Sequence, residues 1–206
     1  MERFDKTDYH SFCDRVVASD KDLEAILNEY AYPPYWVRPN SFATLILTIL
    51  EQQVSLASAY AAYTKLKEKL KIISPEHLLQ LTDEELRACY FSRQKIIYAR
   101  ELAASIVNDQ INLKKFFYQP NDIVRSELKK LKGIGDWTVD VYLLHALRRT
   151  DIFPVGDLAL VNAIKMVKRL DKVSREEILV IGDQWKPYRS FATLLLWHYY
   201  IRKKNI

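Results

Sequence analysis

Glycine is scarce in this chain, four in 206 residues, and two of the four stand one residue apart at Gly133 and Gly135. Runs of alternating apolar and polar residues bounded by turn signals are absent as well, which argues against a β-rich fold. Cysteine is scarcer still. Cys13 and Cys89 are far apart and form neither a CxxC pair nor a four-cysteine cluster, which argues against zinc or iron–sulfur ligation and fits a reducing compartment. The four histidines, His10, His77, His145 and His198, show no metal-ligand spacing. The longest apolar run, Phe42 to Leu50, is too short to cross a bilayer, and the charged start MERFDKTDYH lacks the apolar core of a signal peptide. The expectation is a soluble cytoplasmic protein with no membrane partner. No internal repeat or low-complexity segment is present.

What the chain does have is a core and an uneven charge. At 49% hydrophobic residues it can fill one large domain or two small lobes. Net charge is +5, and from residue 120 onward there are 16 Lys+Arg against 10 Asp+Glu. The positive excess therefore lies in the half that holds the paired glycines, which favours an anionic partner. Nearly every segment reads as helix. Ser41, Ser55, Ser74-Pro75, the Thr82–Glu85 box, Ser92, Asn121-Asp122 and the Ser174–Glu177 box are helix starts, and Tyr188 to Arg202 forms the last helix. The segment AYPPYWVRP, residues 31–39, is the clearest break.

The stretch from Leu128 to Leu160 organises the rest: LKKLKGIGDWTVDVYLLHALRRTDIFPVGDLAL. Two glycines around one apolar residue let backbone N–H groups approach a ligand closely. A helix that begins straight after them adds unpaired N–H groups and the positive end of its dipole. Lys129, Lys130 and Lys132 lie beside the turn, so a nucleic-acid phosphate suits the site, although a GxG turn alone is often only a connection. Asp157, directly before an apolar run, reads first as a helix N-cap. A helix from Asp136 to about Arg148 is roughly 18 Å long, and the eight residues from 149 to 156 reach up to roughly 26 Å when extended. Asp157 can thus return towards the glycine turn.

The sequence L-x-x-L-x-G-I-G-x-W-T, followed about twenty residues later by F-P-x-x-D-L-x-L, resembles the helix-hairpin-helix DNA glycosylases, and within them the 3-methyladenine DNA glycosylase II branch. The resemblance covers most of residues 40 to 205. It implies an all-α fold of two helical lobes with a cleft between them, one lobe roughly 40–120 and the other 1–39 plus 121–206, with the hairpin motif at about 121–148. It implies a monofunctional base-excision-repair glycosylase that removes alkylated purines such as 3-methyladenine and 7-methylguanine, acting as a monomer on double-stranded DNA with a flipped damaged base, nucleoid-associated in a bacterium and nuclear in a eukaryote.

Residue by residue, Asp157 matches the catalytic carboxylate. Lys132, Gly133, Ile134, Gly135 and Thr138 match the DNA-binding hairpin, and Gln53 matches the side chain wedged into the gap left by the flipped nucleotide, where the branch often has Leu. Trp137, Trp185 and Tyr188 match the walls of the base pocket; electron-rich rings stack well on a cationic base. Relatives that cleave the strand, similar to endonuclease III, carry a Schiff-base lysine where this chain has Trp137, so base excision without strand cleavage is expected. No cofactor is required, although relatives hold a structural Na+ or K+ on backbone carbonyls matching Lys129, Leu131 and Gly133. Two alternatives stay open at this point: the same fold acting on uracil, mismatched or deaminated bases, and a non-catalytic protein that binds DNA structure only.

Overall fold

The computed structural model describes residues 2–205. They form thirteen α-helices: α1 (Tyr9–Val17), α2 (Lys21–Tyr30), α3 (Phe42–Glu51), α4 (Leu56–Leu70), α5 (Pro75–Gln80), α6 (Asp83–Ala88), α7 (Arg93–Val107), α8 (Leu113–Phe116), α9 (Asn121–Leu128), α10 (Asp136–His145), α11 (Leu158–Lys168), α12 (Arg175–Asp183) and α13 (Arg189–Lys204). Among the described residues the only β-pairing outside helices is an isolated bridge between Arg3 and Arg149. Among the described residues no helix is long and apolar enough to cross a membrane.

Local chemistry sets most helix starts. The hydroxyls of Ser41, Ser55, Ser74 and Ser92 each accept from the backbone N–H three residues on, and Thr82 and Ser174 form full capping boxes with Glu85 and Glu177. Two expectations shift. Asn121 is already helical, with Pro120 in the cap position and no side-chain cap. Helix α10 stops at His145 rather than near Arg148, because Arg148 turns left-handed (φ 55°) and Arg149 N–H donates back to Leu143 O at 3.1 Å.

The chain divides into two compact units, residues 38–142 and residues 1–37 with 143–206. The first boundary falls in the Pro-rich loop. The second falls inside α10 rather than near 120, because the hairpin is tied to its own unit. Gln52 Nε2 reaches Gly133 O, Lys132 N reaches Glu101 Oε1, and Tyr142 Oη donates to Asn40 Oδ1 at 2.6 Å. In this unit α3 is the central rod, with Leu45, Ile46, Ile49 and Leu50 fully buried, and α4 and α7 pack against it.

The terminal unit is built around α13, whose Phe191, Ala192, Leu194, Leu195 and Leu196 are buried against α1, α2 and α11. Its polar centre is Asp20, the N-cap of α2. That carboxylate accepts from Lys168 Nζ at 2.8 Å, Trp185 Nε1 at 2.9 Å and the Asp22 amide at 2.9 Å, and is 6% exposed. Burial alone would raise the Asp20 carboxyl, but the Lys168 ammonium and the Trp185 indole outweigh it and hold it below the usual carboxylate range. Asp20→Asn leaves Lys168 without its buried partner and is expected to cost about 3 kcal/mol in urea unfolding at neutral pH. Because the folded carboxyl is depressed, its contribution is fully present above the unfolded pKa and is lost as pH falls through the folded value. The gap between wild type and variant must therefore close in acid; equal midpoints at pH 7 would contradict the assignment.

Candidate active site and nucleic-acid interface

In the unit 38–142, α9, the turn and α10 form the expected helix-hairpin-helix. Gly133 holds φ +76°, and a Cβ there would lie 2.1 Å from the Tyr98 ring. The first glycine is thus required by backbone hand and by Tyr98 rather than by a ligand. Gly135 differs: it is exposed, and nothing lies within 4 Å of a Cβ built on it. Ile134 is 4% exposed and its amide donates to Leu131 O at 3.2 Å. It anchors the turn in the core and offers DNA neither side chain nor N–H. The Thr138 side chain points inward. It is 2% exposed, and its hydroxyl accepts from Gln52 Nε2 at 2.9 Å, an internal tie that holds the start of α10.

Charges around the turn sort the basic residues. Lys129 and Arg125 pair with Asp136 at 2.8 and 3.2 Å, Arg125 also binds Asp140, and Lys130 pairs with Glu127 at 2.8 Å. Lys129 first, and then Arg125, hold the Asp136 carboxyl below its usual range. The ammonium of Lys132 makes no ion pair among the described residues and is exposed beside Gly135. It is the cation of the turn available to a phosphate. Of the carbonyls matching a monovalent cation site, Gly133 O already accepts from Gln52 at 2.7 Å and Leu131 O from Ile134, so an ion would share their remaining lone pairs. No group of three or more His, Cys, Asp and Glu suited to a metal occurs among the described residues.

Gln53 follows α3, is exposed and takes a left-handed conformation (φ 56°), so its side chain stands at the tip of the junction. Trp137, in the first turn of α10, is half-buried.

In the terminal unit the segment that delivers Asp157 is fastened to the first turn of α13. Arg189 grips Asp151 with two bonds, 2.6 and 2.9 Å. Ser190 Oγ donates to Arg149 O at 2.6 Å and accepts from Ile152 N at 2.9 Å. Asp157 then caps α11, its Oδ1 accepting from Leu160 N at 2.8 Å. The same oxygen accepts from Trp197 Nε1 at 2.9 Å. Cap and indole together fix the plane of the half-buried carboxylate. Behind Trp197, the His145 ring stacks at 5.5 Å and 16°, with Nδ1 against Trp36 O.

Trp197 was not singled out in the sequence. The available signal was weak: an indole in a half-buried helix needs an acceptor for its N–H, and local spacing does not say which distant group supplies it. Trp185 is the reverse case. It is 1% exposed, packs on Phe153 and donates to Asp20, so it is a core residue and no wall of an open pocket. Tyr188 is half-buried at the start of α13, after a cis Lys186–Pro187 bond, and its hydroxyl accepts from Arg15 at 3.0 Å.

A hairpin with one unpaired lysine beside an open glycine, in a chain that also holds an oriented carboxylate, defines an all-α protein of the helix-hairpin-helix DNA-binding class. Residues 46–187 match the model of the HhH-GPD superfamily base excision DNA repair proteins, and the chain belongs to that family. It is 30% identical over 188 residues to YfjP of Bacillus subtilis (strain 168), covering 87% of this chain and 66% of that one; it thus spans slightly less than two thirds of that relative. Its fold is similar to a DNA-3-methyladenine glycosidase from Bacillus halodurans (TM-score 0.77, 26% identity, 100% and 95% of the two chains). It is also similar to the Schizosaccharomyces pombe 3-methyladenine DNA glycosylase bound to abasic DNA (TM-score 0.83, 25% identity, 91% and 95%).

Two measurements check the hairpin. Lys132→Ala is expected to weaken duplex binding and to lower the slope of log affinity against log salt by about 1, whereas Lys130→Ala, already neutralised by Glu127, changes it less. Gly135→Ala should keep the wild-type melting temperature and lose DNA affinity, because only a bound strand can clash with the added methyl. Gly133→Ala should lose stability as well. A Gly135→Ala protein that binds duplex normally would remove Gly135 from the interface.

Proposed function

We propose that the chain is a monofunctional DNA glycosylase that hydrolyses the N-glycosidic bond of alkylated purines, 3-methyladenine and 7-methylguanine, in double-stranded DNA, with Asp157 as the catalytic carboxylate. The observation that carries this reading is the hold on Asp157. A cap needs one hydrogen bond; the Trp197 N–H on the same oxygen, stacked in turn on His145, is more than helix initiation requires. Named relatives that act on 3-methyladenine support the substrate class.

The chemistry follows from the residues. Departure of the base builds positive charge on the deoxyribose, and a fixed carboxylate stabilises that charge without reorganising. The same group can orient or deprotonate the attacking water. An N3- or N7-alkylated purine is already cationic and leaves neutral, so no strong acid is needed for its departure. Trp137 stands where a lyase would carry an amine, and indole forms no Schiff base, so the strand stays intact. Trp137 and Tyr188 remain the proposed aromatic contacts of the base, Lys132 and Gly135 those of the backbone, and Gln53 the wedge. A monovalent cation on the hairpin carbonyls of Lys129, Leu131 and Gly133 would have a structural role alone.

Base release from methylated duplex DNA, with strand scission scored before and after alkali, tests the reading. Wild type should release 3-methyladenine or 7-methylguanine, with breaks only after alkali. Asp157→Asn should lower the single-turnover rate on the order of 100-fold or more. Trp197→Phe keeps the ring and loses the N–H; it should slow release about tenfold with DNA affinity unchanged, the size of one buried charge-assisted hydrogen bond. Equal release by wild type and Asp157→Asn would sink the assignment, and release confined to uracil or mismatched DNA would redirect the substrate.

A further inference from the structure

Three successive residues at the end of α3 are each held by a different partner. Leu50 O accepts from Lys95 Nζ at 2.7 Å. The Glu51 carboxylate, almost fully buried, takes two bonds from Arg38, 2.8 and 2.6 Å. Gln52 Nε2 donates to Gly133 O at 2.7 Å and Thr138 Oγ1 at 2.9 Å. The next residue, Gln53, is left-handed and exposed, with Val54 and Leu56 beside it 45% and 51% exposed. The tandem glutamines therefore divide their work: one amide is turned inward, the other stands at a tip whose base is clamped.

From this geometry we infer that Gln52 is a positioning residue that couples the Gln53 tip to the DNA-holding hairpin, so that backbone anchoring and nucleotide displacement occur on one rigid template. The inference rests on the reading of Gln53 and the hairpin given above. The chemistry is selective for an amide. Gly133 O only accepts, so residue 52 must donate, and a carboxylate there would repel the carbonyl. Gln52 bridges both sides of the turn, the glycine before it and the first helical turn after it. A shift of the hairpin is thereby transmitted to the base of the tip.

The test uses Gln52→Met, which keeps length and removes the donor, and Gln52→Glu, which reverses it, with Gln53→Ala and the Gln52→Met/Gln53→Ala double variant. Displacement is read by the fluorescence of 2-aminopurine placed beside a lesion or abasic site, chemistry by single-turnover release, and folding by melting temperature. Gln52→Met is expected to lower displacement about tenfold, the loss attached to one buried donor. The double variant should be no worse than Gln53→Ala alone, because Gln52 acts through the tip. Effects that multiply in the double variant, or wild-type displacement by a folded Gln52→Met, would overturn the coupling. If Gln52→Glu does not fold, Gln52→Met and the cycle still decide. Displacement is scored without bond cleavage, so a wild type that displaces yet releases no base would overturn the glycosylase reading and leave the coupling standing.

Discussion

One backbone conformation governs the DNA-facing unit: the left-handed turn at Gly133, pressed against the Tyr98 ring. An L-residue there would be strained in φ and would collide with Tyr98, so the position admits glycine alone. From it the rest of the hairpin follows. The carbonyl of Gly133 is presented to Gln52, Ile134 is driven into the core, and Gly135 is left open at the surface. The Thr138 hydroxyl meets the same amide and sets the first turn of α10. The two glycines look alike in the sequence, yet one is required by the fold and the other stands open at the surface.

The terminal unit solves a different problem, which is how to hold a carboxylate. It does so twice. Asp20 is buried and surrounded by donors, Lys168, Trp185 and backbone N–H groups, and it joins α2, α11 and the end of α12. Asp157 is half-buried, and its Oδ1 accepts from its own helix and from Trp197. Both are N-caps and both bind an indole. They differ in exposure, and exposure separates a structural anion from one that can meet a reactant.

Much of this was legible in the sequence because it is local. Ser41, Ser55, Ser74, Ser92, Thr82 and Ser174 cap partners within three residues, a spacing that reads directly. The hairpin and the Asp157 cap were visible for the same reason. What stayed hidden are the long ties: Trp197 to Asp157 across 40 positions, Gln52 to Gly133 across 81 and Trp185 to Asp20 across 165. No spacing encodes them. Trp185 and Thr138 sit in recognisable motifs, yet a motif does not state which way a side chain points, and both turned inward. The hairpin's membership in the 38–142 unit was missed on the same ground, since the bonds that bind it there run to residues 40, 52 and 101.

The division of the chain has a consequence for how it comes into being. The hairpin unit is one unbroken segment, 38–142, whereas the unit holding Asp157 is made from both ends of the chain. A contiguous segment carries all of its own partners, so it can assemble during synthesis once residue 142 has emerged, before the last helix exists. Residues 1–37 must wait for α13, and joining them closes a loop of more than a hundred residues, whose entropic cost grows only slowly with length. The order of assembly is therefore the hairpin unit first and the unit of Asp157 last. A nascent or truncated chain ending near residue 142 would carry the hairpin without Asp157.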